Sequence, residues 1–597
     1  MMRRELIQYA GAMSLMAADA GAQAAGDAFR RMRPGEPGWP PPEKWRALNE
    51  KVGGQLQAVH SPLEACTDGK DRAACDAVFK GFKNPYFIRD NVALTQTTGW
   101  AEAWVSKPSA YAVIARDAKD VAAVVNFARD NRLRLVVRGG GHSYHGTSNA
   151  ADSLLISTRL MDSIGLHDAF VAQGCSGAPQ PAISLGAGNI WLKAYGAAGK
   201  AGRYVQGGGC CTVNVAGLVQ SGGFGSFSKR FGLAAGGLLE AEIVTADGQV
   251  LIANACSNPD LLWGLKGGGG GSLGVVTRVT LRTHELPSFL GGAFGAIRAN
   301  TDEAFKRLIF EFMRFYRDRL FNPTWGEQVK CRRDNVLEIA MVFQGIDQAT
   351  AMAAWKPFVD WVAASPAEYT VQTPIMALAA PAHFFWDVQF LKQYLPQVII
   401  QDPRPDAPDD AVFWAGNLGE AGWYIHDYES TWLPQSLLGD DSRGRLVEAL
   451  YSASRHSTVG LHFNKGLAGA PAEAIAASRD TAMNPSALDA FALAIVAAGG
   501  APAFAGFAGH EPDMDKARRD AAAVGAALAE LTRLAPGSGA YLTESSFHQK
   551  DWQRAYWGDN YSRLQAVKKK YDPDGLFFVH HGVGSEEWSA DGFTRLG

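Results

Sequence analysis

The sequence predicts an α+β fold built in two unlike parts, and three observations carry that prediction. From about Ala112 to Leu286 short apolar runs alternate with amphipathic stretches and glycine-marked turns. From about Pro287 to Gly539 the segments lengthen and fill with aromatics, among them Phe384-Phe385-Trp386, Trp414, Trp423 and Trp432. Beyond these, Asp551 to Lys570 reads as a helix, stopped by Tyr571-Asp572-Pro573-Asp574-Gly575 and followed by the terminal run FFVHH.

The elements follow in order. Ala112 to Ala115 (AVIA) is a strand, and Asp117 then caps a helix whose apolar face is Val121, Val124, Val125 and Ala128. Residues 133–137 (LRLVV) form a buried strand leading into Gly139-Gly140-Gly141. Glu242 to Ala253 is a hairpin turning at Asp247-Gly248. Gly274 to Arg282 alternates as a strand should. The run Gly267–Gly271 lies between helix-like LLWGLK and strand-like GVVTRV, so it reads as a tight packed turn and not as a linker. There is no internal repeat. The stretch from Ala490 to His510 carries no Lys, Arg, Asp or Glu until Glu511, but Gly499-Gly500 and Pro502 make it a buried strand followed by a loop, not a membrane span.

Composition narrows the function. The chain has 597 residues, 47% hydrophobic and 20% charged, enough apolar material for a large core and incompatible with general disorder. Its formal net charge is −3, with no long run of one sign, which argues against a nucleic-acid or anionic-membrane binder. Glycine is in excess, 66 of 597 residues against a usual level of about 7%, and the excess sits in clusters where backbone must approach something closely.

Arg3-Arg4, a mildly apolar stretch interrupted by Asp19, and Ala22-Gln23-Ala24 read as a twin-arginine export signal over residues 1–24; the competing reading is an ordinary N-terminal helix. The signal implies an exported, periplasmic or secreted protein. The Pro-rich stretch Arg33 to Pro42 separates the leader from the fold. None of the seven cysteines makes a C-x-x-C pair, so no metal site is expected. Cys66 and Cys75 are either a local disulfide or unpaired.

Two glycine-flanked clusters carry the chemistry. The first is Arg138-Gly139-Gly140-Gly141-His142-Ser143-Tyr144, at the end of a buried strand. The second is Gly207-Gly208-Gly209-Cys210-Cys211-Thr212-Val213, followed by Gly217 and Ser221-Gly222-Gly223-Phe224-Gly225. Consecutive glycines let backbone N–H groups converge on an anion such as a pyrophosphate. Neither cluster is the G-x-G-x-x-G fingerprint of a nicotinamide enzyme, and no Walker lysine motif is present.

Together with DLLWGLKGGGGGSLGVVT and NYSRLQAVKKKYDPDGLF, these clusters resemble the vanillyl-alcohol-oxidase-type flavoproteins, in particular the berberine-bridge-enzyme-like branch. The resemblance implies FAD held by two covalent bonds, from His142 to the flavin 8α-methyl carbon and from Cys210 to flavin C6. Cys210 is preferred to Cys211 because it keeps Val213 three residues on and Gly217 seven on. Arg138, Gly139, Gly140, Gly141, Ser143 and Tyr144 are expected around the cofactor, with Gly222 and Gly223 in the second glycine loop and Asn560 and Tyr561 closing over the flavin.

The resemblance also implies a two-part FAD-binding domain, residues 100–287 plus the tail 545–597, with a substrate domain inserted at 288–544 and an N-terminal extension at 25–99. The implied reaction passes a hydride from an alcohol carbon (of a sugar, polyol or secondary metabolite) to flavin N5, while a base takes the hydroxyl proton. Val213 implies re-oxidation by O2, giving H2O2; the alternatives are a dehydrogenase with another acceptor or a flavin-bearing binding protein. Asn214 and Cys211 depart from the family pattern. The strand where relatives carry a glutamate reads Phe491-Ala-Leu-Ala-Ile495-Val and offers no acid. Tyr541 is therefore the first candidate proton acceptor or orienter and Glu544 the second, against an ordinary strand with a core tyrosine. His462, Asn464 and Lys465 are further polar candidates. His580-His581 are assigned to tail packing, on opposite faces of a strand.

Overall fold

A computed structural model describes residues 29–69 and 71–596. The predicted export signal lies outside the described residues. Three sheets organise the chain. The first runs in the order Leu56–Ala58, Tyr111–Ile114, Ser153–Ser157, Arg134–Arg138, its last three strands parallel. The helix Ala118–Asp130 connects two of them. Asp117 caps it by accepting from the Lys119 and Asp120 amides, and Val121, Val124, Val125 and Ala128 are buried beneath it, as the periodicity predicts.

The second sheet is antiparallel, ordered Val250–Asn254, Leu238–Val244, Val275–Glu285, Gln180–Gly186, Ile164–Phe170. One hydrophobic core joins it to the first sheet and takes in Tyr571, Leu576 and Phe577 from the tail. The tail is bound there by polar contacts too. Arg31 donates to the carbonyls of Gly592, Gly575 and Leu576, and Lys568 donates to Ser272 and Phe577 carbonyls at 2.6 and 2.7 Å.

The third sheet has nine strands. From Tyr369–Pro381 it passes through Phe289–Ala299, Val336–Gln344, Trp325–Cys331, Val459–His462, Ala490–Gly500 and Trp423–Pro434 to Thr97–Trp100 and Trp104–Val105. One face is covered by the helices Asp302–Phe315, Gln348–Ala363, Asp440–His456 and Met514–Leu534. The first of these shows why: Thr301 caps it, acids fill its first turn, and Phe305, Leu308, Ile309, Phe312 and Met313 recur at helical spacing toward the sheet. The other face is left to the cavity described below.

Three expectations change. A boundary at residue 100 cuts through the strand pair Thr97–Trp100 and Trp104–Val105, which hydrogen-bonds to the large sheet through Trp423–Pro434. The single helix expected over Asp551 to Lys570 is two, Trp552–Trp557 and Tyr561–Tyr571. Between them Gly558 turns at φ +56, which releases Trp557 to donate from its indole to the Gly267 carbonyl at 2.9 Å. Finally, His580 and His581 do not lie on a strand: His581 sits at φ +52, and the two rings stack with centroids 3.8 Å apart.

Cys66 and Cys75 form a disulfide, and so do Cys175 and Cys256, 81 residues apart. The second bridge joins loops that follow the two edge strands of the antiparallel sheet. Cys175→Ser should cost about 2–4 kcal/mol of stability through the long loop it leaves unclosed, more than Cys66→Ser, whose loop is short. Thermal unfolding of the two variants checks this ordering. No helix among the described residues is long and apolar enough to cross a membrane.

Candidate active site

A cavity of about 1080 Å³ opens where the glycine loop after Arg134–Arg138, the loops around the helix Val215–Gln220 and the uncovered face of the large sheet meet. Its glycines have two different duties. Gly217, in that helix, is exposed to the cavity, and a Cβ there would meet nothing within 4 Å. Gly270 likewise finds its first neighbours only at 3.9 Å. Gly139 instead backs onto the wall: a Cβ would stand 2.7 Å from the Asn214 side chain.

His142 and Cys210 both line this space. Thr212 joins the two sequence clusters, its Oγ1 lying 3.1 Å from His142 Nε2. Burial lowers the His142 pKa to about 4, so its imidazole is neutral at pH 7 and keeps a lone pair for bonding. Cys211 turns the other way into the core, where it is 4% exposed and burial pushes its thiol up to about 12. Burial, with the nearby Glu420, also holds the Cys210 thiol well above the ordinary range.

The same cavity holds a polar group drawn from several separate segments. Lys465 pairs with Glu544. Ser226 donates to Glu327 Oε1 at 2.5 Å, and the Tyr144 hydroxyl donates to Glu420 Oε2 at 3.4 Å. Burial raises the pKa values of Glu327 and Glu420, and Glu544 adds to the effect while Lys465 opposes it. Farther out the wall becomes apolar. Phe294, Leu378 and Tyr394 line the opening and stay 47, 57 and 60% exposed, and Phe384 stacks on Phe390 at 4.3 Å.

The family model described as FAD binding domain matches residues 109–254, and that described as berberine and berberine like matches residues 540–584. The FAD-linked oxidoreductase notD' of Aspergillus versicolor is 28% identical over 612 residues, covering 96% of this chain and 91% of that protein. The VAO-type flavoprotein oxidase VAO615 of Thermothelomyces thermophilus is 28% identical, covering 95% of each chain. The crystal structure of the VAO-type flavoprotein MtVAO615 from Myceliophthora thermophila superposes with a TM-score of 0.76 at 26% identity, covering 95% of this chain and all of that one. The chain is similar along nearly its whole length to VAO-type flavoproteins. It is an FAD-linked oxidoreductase, and its tail is the berberine-like segment. The fold alone is shared with the glucooligosaccharide oxidase of Acremonium strictum, whose FAD is described as 6-S-cysteinyl, 8α-N1-histidyl (TM-score 0.63, 16% identity, 90% of this chain and 99% of that one).

The cavity fits an FAD cofactor. Asn214 Nδ2, Gln220 Oε1, His462 Nδ1, Asn464 Oδ1 and His581 Nδ1 are buried on its wall and make no hydrogen bond among the described residues. Buried polar atoms seldom stay unpaired, so five on one wall mark a surface built to meet a polar molecule.

The expected site residues divide. Gly139, Gly140, Gly141, His142, Ser143, Tyr144, Cys210, Val213, Gly217, Tyr541 and Glu544 all line the cavity. Arg138, Gly222, Gly223, Asn560 and Tyr561 do not. Arg138 is buried behind the loop, donating to the Ile88 and Val92 carbonyls at 2.7 and 3.1 Å. Gly222 and Gly223 have positive φ and no room for a Cβ, at 2.3 Å from Met483 and 2.5 Å from Leu218 respectively. Asn560 donates to the Met483 carbonyl at 3.0 Å, and the Tyr561 hydroxyl is taken by Glu586. These five support the walls. Conversely, Glu327, Glu420, Tyr428 and the His580-His581 pair line the cavity without having been expected there.

Proposed function

We propose that this flavoprotein is an exported oxidase that converts an alcohol to a carbonyl compound at an FAD attached through His142 and Cys210, with O2 as the final acceptor and H2O2 as the second product. The observation that carries this reading is the meeting of His142 and Cys210 on one cavity wall through Thr212. When bound, FAD supplies the two-electron acceptor for the carbon being oxidised. Gly139, Gly140 and Gly141 bring backbone N–H groups to its diphosphate, and Gly217 leaves it room. Two disulfides support export, since they persist in oxidising compartments. Residues 109–287 with the tail act as the cofactor part, and the large sheet as the substrate part.

The chain's own groups divide the remaining work. Burial raises the Tyr541 pKa, so at neutral pH its phenol is a hydroxyl that donates and orients. Glu544 is held by Lys465, and the pair fixes the polar end of the substrate pocket. The outer wall of Phe294, Leu378, Phe384, Phe390 and Tyr394 offers ring faces and few hydrogen-bonding groups, which favours a ring-bearing apolar alcohol over an oligosaccharide. Contiguous apolar surface at a cleft mouth is characteristic of ligand-binding grooves.

The test is a peroxide-coupled screen of aromatic and terpenoid alcohols beside polyols and oligosaccharides. Peroxide from an apolar alcohol supports the reading. Peroxide from sugars alone overturns the substrate class, and flavin bleaching without peroxide overturns the oxidase. Val213 lines the same wall. Val213→Leu should slow re-oxidation by O2 while leaving anaerobic bleaching by substrate near the wild-type rate. Stopped-flow measurement of the two half-reactions separates them; an equal effect on both would remove Val213 from the oxygen path.

A further inference from the structure

We infer that Glu327 is the group that takes the substrate's hydroxyl proton. The inference rests on the alcohol-oxidase reading above and begins with the backbone. Glu327 lies within the strand Trp325–Cys331, paired on both sides. Alternation along a strand puts residues of one parity on one face. Trp325, Val329 and Cys331 all point into the helix-covered core, and so does Met341, the cross-strand partner of Glu327. Glu327 alone of this set lines the cavity on the opposite side.

The reversal is made by a left-handed residue, φ +61, in mid-strand. A non-glycine residue there is strained and persists only where the surroundings enforce it, most often at functional sites. Nothing about packing asks for this arrangement. A glycine would take the same φ without strain, and an apolar residue with ordinary strand angles would join Trp325 and Val329.

The conformation sets a carboxyl group beside the cofactor attachment point. A Cβ built on Gly209, the neighbour of Cys210, would stand 3.8 Å from Glu327 Oε1. Ser226 holds that oxygen, while Oε2 makes no hydrogen bond among the described residues. The two other acids on the wall are engaged differently, Glu544 by Lys465 and Glu420 by Tyr144. In the step assigned to it, Glu327 Oε2 accepts the hydroxyl proton as the substrate O–H bond breaks and a carboxyl O–H forms. The hydrogen on the carbon leaves with its two electrons to the oxidised flavin, and the C–O bond becomes a carbonyl.

The titratable groups that act on Glu327 or feel its charge are Lys465, Glu544, Cys210 and Tyr204. Burial and Glu544 raise its pKa, and Ser226 and Lys465 lower it, with a net rise. Because the ionised form is the active one, bleaching should accelerate with pH along an acid limb set by this group.

Two variants test the assignment on holoenzyme. With an alcohol from the screen, Glu327→Gln should slow anaerobic flavin bleaching at least about 100-fold and abolish the acid limb, while binding of the carbonyl product, read from the flavin spectrum, is retained. Glu327→Gly should lose bleaching equally and melt at or above the wild-type temperature, because glycine accepts this φ. Bleaching by Glu327→Gln within threefold of wild type, with an unchanged pH profile, would overturn the inference. A clear fall in melting temperature for Glu327→Gly would do so too, since the inward turn would then serve stability. If no alcohol bleaches the wild type, the oxidase reading fails and takes the inference with it; if the wild type bleaches and Glu327→Gln does also, Glu327 alone is excluded.

Discussion

Replacing His142 and Cys210 together by alanine should give a protein whose yellow colour leaves with the supernatant on acid precipitation, while wild type and either single variant keep their colour in the pellet. The expectation rests on two different side chains facing one cavity. The His142 imidazole is neutral because burial lowers its pKa to about 4, and Thr212 orients it through Nε2. Cys210 faces the same space, whereas Cys211 is packed in the core. Cys211→Ser should therefore leave attachment untouched, which separates the two sulfurs in one experiment. His142→Ala should also lower the flavin potential, since a substituent that draws electrons from the ring is lost. Colour leaving the wild type with acid would refute covalent attachment, while leaving FAD binding itself standing.

Much of this architecture was legible because its signals are local. Asp117 and the spacing Val121, Val124, Val125, Ala128 define a helix without reference to anything distant. The glycine clusters announce close backbone approach, and eleven of the expected residues do line one cavity. What a glycine signal does not reveal is the identity of the neighbour. Gly217 makes room for a ligand, while Gly222 and Gly223 make room for Met483 and Leu218, and the same letter stands for both. Asn560 and Tyr561 are each tied to protein partners, the Met483 carbonyl and Glu586.

The rest depended on information that no short window contains. The Cys175–Cys256 bridge spans 81 residues, with no spacing to mark it. Thr97–Trp100 joins a strand more than three hundred residues later. Strand alternation would set His580 and His581 on opposite faces, but a left-handed His581 stacks them instead. Glu327 is the sharpest case. Period-two alternation assigns it to the core with Trp325 and Val329, and only the observed backbone angle turns it toward the cavity. Local rules fail at such positions because tertiary structure imposes an angle that the residue would not adopt alone.

Gly217→Leu should yield a colourless protein that is nonetheless folded. The glycine is the third residue of the helix Val215–Gln220, where φ is ordinary and a side chain is compatible with the backbone. In helices leucine is favoured over glycine by roughly 0.5–1 kcal/mol, and a Cβ here meets no protein atom within 4 Å. The substitution is therefore neutral or stabilising for the chain without cofactor. Its cost falls on the cavity, because the added branched side chain enters the space opposite Gly270, whose own nearest neighbours include the Gly217 backbone at 3.9 Å. Unfolding of Gly217→Leu should occur at or above the temperature of flavin-free wild type, with FAD content below a tenth of the holoenzyme's. Full flavin content in this variant would place the cofactor elsewhere in the cavity. Retained colour with lost alcohol bleaching would assign the space over Gly217 to the substrate, so the two halves of the cavity can be told apart at a single residue.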